Sequence, residues 1–95
     1  MMNQDVKDVV GLLMRVIDGA DISPAEVEDL GFQADGELKA VLNDAYIKLM
    51  EFAYDANLRR NDQELDHRMR SVLQEYLDKI VSAWDRQSRL ANQAN

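Results

Sequence analysis

Cysteine is absent from this 95-residue chain, so no disulfide can staple the fold. That absence fits a reducing compartment, and a cytoplasmic location is the expectation. A single proline and four glycines leave little of the chain for turns. There is one histidine, His67, so general acid–base chemistry has one ordinary candidate. Long apolar runs are missing too. No stretch approaches the roughly 20 residues that cross a bilayer. The short run from Val9 to Ile17 is broken by Gly11 and Arg15, so it does not read as a signal peptide.

Positive charge is also scarce. Eighteen acids face eleven Lys and Arg, giving a net charge of −7. The imbalance lies in residues 1–55, with 12 acids against 4 bases; residues 56–95 hold 6 against 7. A nucleic-acid binder needs a basic face to displace counterions. Arg59, Arg60, Arg68 and Arg70 cluster in sequence, but Asp62, Glu64 and Asp66 lie among them. Neither a nucleic acid nor a membrane is an expected partner.

What the chain does have is helical periodicity. Apolar residues make up 46% and charged residues 31%, as in ordinary globular domains. At about 100° per residue, Val6, Val9, Val10, Leu13, Met14, Val16 and Ile17 fall on one side of a first helix, about residues 5–18. Asp5 is the expected N-cap and Gly19 the stop. Ser23-Pro24-Ala25-Glu26 is a capping box with proline at the first helical position. It opens a short helix over about 24–30, burying Val27 and Leu30, with Ile22 and Phe32 as flanking anchors.

Asp35 is expected to cap a third helix over about 36–58. Its apolar arc is wide: Leu38, Leu42, Ala45, Leu49, Phe52 and Ala56 form one stripe, extended by Tyr46, Ile47, Met50 and Tyr54. After a short turn, Asn61 with Glu64 signals a fourth helix over about 62–89. Its buried face reads Leu65, Met69, Val72, Leu73, Tyr76, Leu77, Ile80 and Trp84. Two long helices joined by a short turn are antiparallel neighbours. The expectation is an all-α fold, a small antiparallel helical bundle forming one domain over 1–90, with a frayed polar tail at 91–95. Folding the hairpin back on itself sets Trp84 level with Gly36, near Leu30, Phe32 and Leu38.

Candidate sites are few. Glu64 and His67 have the Glu-x-x-His spacing of helical carboxylate-bridged metal proteins. With Glu64 at 0°, His67 falls near about 300°, while the apolar face centres near about 150°. Both point to solvent, so no metal site, cofactor or catalytic residue is expected. Neither do the basic residues sit at the centre of an apolar stripe, as the small helical chorismate mutases need for their dianionic substrate.

Between Asp18 and Glu37 there are seven acids and no base. Asp18, Asp21, Glu28, Asp29 and Glu37 form a candidate acidic docking face for a basic protein. In size, charge and helix count the chain is similar to bacterial immunity proteins that block nuclease toxins. It departs from the nuclease-colicin group, whose paired tyrosines have no counterpart here, Tyr46 and Tyr54 being eight residues apart.

A second candidate surface is apolar. Tyr46, Ile47, Met50 and Tyr54, with Leu77 and Val81 on the last helix, exceed what a short first helix can cover. The sequence therefore points first to a non-enzymatic protein–protein interaction module or homodimer. An inhibitor of a basic partner, resembling an immunity protein or antitoxin, is the second reading, and a small-ligand or metal-binding helical protein the third.

Overall fold

The computed structural model of the chain describes residues 4–31 and 35–93. Among them are five helices and no strand: α1 (Gln4–Ile17), α2 (Pro24–Glu28), α3 (Gly36–Tyr54), α4 (Ala56–Arg60) and α5 (Gln63–Gln93). The all-α helical bundle read from the periodicity is the observed architecture. α3 and α5 form the antiparallel hairpin, α1 packs chiefly on α5, and α2 lies on α3. The expected anchor Phe32 lies outside the described residues.

The core is largely the apolar face each helix was expected to bury, except that on α1 Leu12 is buried and Met14 is 53% exposed. Val6, Val9, Leu13 and Val16 of α1 meet Leu38, Leu42, Leu49 and Phe52 of α3 and Leu73 and Ile80 of α5, all essentially without exposure. Trp84, Leu30 and Tyr76 are half-buried against that core. Glu37 and Arg86 pair across the hairpin close to where mirroring set Gly36 and Trp84.

Several ends differ from expectation, each for a local reason. Asp5 lies within the first turn of α1 rather than capping it, and it is buried. Gly19 does stop α1. Its φ of 105° is open to glycine and strained for other residues, and the amides of Gly19 and Ala20 bond back to the carbonyls of Val16 and Arg15. Ser23 forms the full capping box with Glu26, so α2 begins as read. Asp35 sits at the N-cap of α3, but its side chain makes no cap hydrogen bond. α5 is capped by Asp62, whose carboxylate accepts from the Leu65 amide at 3.0 Å. Asn61 instead donates to the carbonyl of Asn57 and closes α4. α5 also runs past 89 to Gln93, because no glycine or proline stops it.

The largest difference is the break in the third helix. α3 ends at Tyr54, Asp55 adopts φ −89° and ψ 16°, and α4 begins at Ala56. A helix end leaves its last carbonyls without amide partners. Here the carbonyl of Phe52 accepts from Nε and Nη2 of Arg59, at 3.1 and 2.9 Å. The guanidinium thus stabilises the break by satisfying the acceptor that the break exposes.

Candidate functional site

Two places on the molecule gather side chains that local helix structure alone does not require. The first surrounds Arg59, which is 3% exposed. Its Nη1 donates to Asp66 at 2.8 Å and to Asp21 at 3.1 Å. Arg70 donates from Nε to Asp66 at 2.9 Å, and its Nη1 reaches the carbonyls of Val16 and Ala20 at the end of α1. Both guanidinium groups lie over the Phe52 ring, Arg59 at 3.4 Å and Arg70 at 5.0 Å from its centroid. The Asp66 carboxyl is held below the usual aspartate range, first by its hydrogen bond from Arg70, with Arg59 adding to this and burial opposing it. The cluster joins the C-terminus of α1, the end of α3 and the start of α5. Every guanidinium nitrogen of Arg59 and Arg70 donates to a partner within the protein.

Little in the residue pattern points to this cluster. Phe52, Arg59 and Asp66 recur every seven residues, but that spacing marks one face only along an unbroken helix, and here two breaks intervene.

The acidic candidates divide. Asp21 is taken up by Arg59 and Arg70, and Glu37 by Arg86. The Arg86 hydrogen bonds hold Glu37 below the usual glutamate range, and Glu37 in turn raises Arg86. Glu26 is lowered mainly by its hydrogen bond from Arg15 and also caps α2, so one carboxylate ties α1 to α2. Asp18, Glu28 and Asp29 are exposed and form no ion pair among the described residues.

Glu64 and His67 both face solvent, as the angular reading placed them. No group of three or more His, Asp or Glu side chains is arranged to hold a metal among the described residues. A small cavity of about 140 Å³ lies between α3 and α5. Phe52, Met69, Val72 and Leu73 form its floor, and Lys48, Glu51 and Arg68 its mouth. No serine, threonine, cysteine or histidine lines it. No helix among the described residues is long and apolar enough to cross a membrane.

The second place is the outer face of α3. Tyr46 and Met50 are half-buried against the core, while Ile47 is 53% and Tyr54 65% exposed. Together they line a shallow open depression rimmed by Glu51 and Asp55. Beyond the break, Leu58 on α4 is also exposed, at 61%. Ile47, Met50 and Tyr54 are spaced three and four residues apart, the interval that builds a seam between two helices.

Leu77 and Val81 lie elsewhere. On α5 they follow Arg70 at intervals of seven and eleven residues, so they share its side of the helix, the side that reaches α1. Lys48, which opens onto the groove between α3 and α5, is about 200° around α3 from Met50. The Tyr46–Tyr54 set therefore faces away from that groove and does not join Leu77 and Val81 across it. Val81 is half exposed, and Leu77 is half-buried against the core.

No protein family, no curated protein and no solved structure matches this chain.

Proposed function

We propose that the protein is a non-enzymatic interaction module whose docking surface is the outer face of α3, engaging another polypeptide in the cytoplasm. The observation that carries this reading is the strip Ile47–Met50–Tyr54. It is apolar and seam-spaced over two turns, with Ile47 and Tyr54 more than half exposed and Met50 half-buried between them. Among the described residues, the monomer's packing accounts for Met50 but not for the exposed Ile47 and Tyr54. A homodimer is one form of the proposal, because a twofold axis buries the same strip on both copies.

Light scattering after gel filtration over a hundredfold concentration range, combined with co-purification from the native host, tests the reading. The comparison is wild type against Ile47→Gln. A doubled mass that the variant restores to the 10.9 kDa monomer supports the homodimer. A constant monomer mass, with a co-purifying protein lost in the variant, supports a different partner. A variant indistinguishable from wild type in both measurements removes the basis of the proposal.

The inhibitor reading draws support from the exposed carboxylates of Asp18, Glu28 and Asp29, which form no ion pair among the described residues, and it predicts that their joint replacement by the corresponding amides abolishes binding to the basic partner.

A further inference from the structure

We infer that the occupant of the α3 face is a short amphipathic helix with lysines or arginines along one flank, and not a second copy of this chain; the inference rests on the docking reading above.

Two observations point to it. The first is charge. Asp44, Glu51 and Asp55 follow one another at intervals of seven and four residues and so form a single flank beside the apolar strip. Lys48 is the base within that flank, and its ammonium already lies on Glu51 at 3.3 Å. Asp44 and Asp55 have no cation within ion-pair distance among the described residues. A second copy would bring the same uncompensated carboxylates and another net charge of −7. A helix with a basic flank would neutralise them.

The second observation is size. A stable protein–protein interface engages roughly 20–30 residues on each side. The structure separates Leu77 and Val81 from the α3 strip, leaving a handful of side chains from Tyr46 to Tyr54, about 12 Å along the α3 axis. That length matches two to three turns of a helix lying against it, a mode of recognition that needs only a few apolar anchors.

Two synthetic peptides of about 14 residues test the inference. Both carry Leu and Ile at seam spacing. One has lysines on the flank, and its twin has glutamates at the same positions. Binding to the full chain is read by fluorescence anisotropy, with chemical-shift changes locating the site. The basic peptide is expected to bind at least about tenfold more tightly than its twin at low salt, with the gap narrowing in high salt. Ile47→Gln with Tyr54→Gln should abolish binding, and Val81→Gln should leave it unchanged. Asp44→Lys with Asp55→Lys should reverse the preference between the peptides.

Equal binding of the two peptides, or preference for the acidic one, overturns the inference. If neither binds and the chain is a dimer that Ile47→Gln splits, the occupant is a second copy; the inference falls while the docking reading stands. If neither binds, the mass stays monomeric and Ile47→Gln costs no co-purifying partner, both fall.

Discussion

Arg59 lies flat on the ring of Phe52, 3.4 Å from its centroid, and donates two hydrogen bonds to the carbonyl of that same residue. One side chain thus covers the ring, terminates α3 and pairs with two carboxylates. Lysine can supply the charge but not the planar stack with paired donors. Arg59→Ala strands the Phe52 carbonyl and leaves Asp66 without one of its donors. Urea unfolding should show a loss of about 2–4 kcal/mol, and Arg59→Lys should recover less than half of it. Wild-type stability in the lysine variant would show that charge alone suffices.

Acid should weaken the fold in a defined window. Asp66, Glu26 and Glu37 all have carboxyls lowered by arginine hydrogen bonds. A group lowered in the folded state binds its proton more readily when unfolded, so its stabilisation is present above the unfolded value. It is lost as pH falls through the lowered folded value. Denaturation midpoints should be flat from neutral pH to about 5 and fall steeply below about 4. Asp66→Asn should lower the plateau and make the acid limb shallower. An unchanged limb in that variant would locate the acid sensitivity elsewhere.

How much of this was legible beforehand varied with the kind of interaction. Apolar periodicity placed Val9, Leu13, Leu42, Leu49, Leu73 and Ile80 in the core, because burial on a helix repeats with the helix. Gly19 and the Ser23 box were equally readable, since each acts within a few residues. The break at Asp55 was not. No glycine or proline marks it, and its cause is a tertiary contact from Arg59 whose partners lie as far away as Asp21. The docking candidates show the same division. The width of the apolar arc marked Ile47 and Tyr54 as more than a short first helix can cover, but only the packing of α1 separates Val81 from them.

Replacing Ser23 by Ala removes the hydroxyl that accepts from the Glu26 amide at 3.3 Å. The expected cost is about 1 kcal/mol in thermal or urea unfolding. Glu26→Gln can keep the box but loses the charge facing Arg15, so its effect should shrink in high salt, whereas that of Ser23→Ala should not.

Glu64→Ala and His67→Ala should each change stability by less than about 0.5 kcal/mol, because both side chains face solvent. Zinc or iron titrated against either variant and wild type should give identical calorimetric traces. A metal-dependent rise in melting temperature confined to wild type would contradict this placement.

The Arg59–Asp66–Arg70 cluster sits at one end of an elongated body, 53 Å in its longest dimension. At the other end α3 begins, the Glu37–Arg86 pair is exposed and open to screening by salt, and α5 extends about two turns beyond it. The molecule is built like a pair of tongs, riveted where the guanidinium groups cross and closed at the tips by side-chain packing. Thermal motion should open it from the tips. Backbone amides near Leu38 should exchange with solvent deuterium through partial splaying, while those near Phe52 wait for global unfolding.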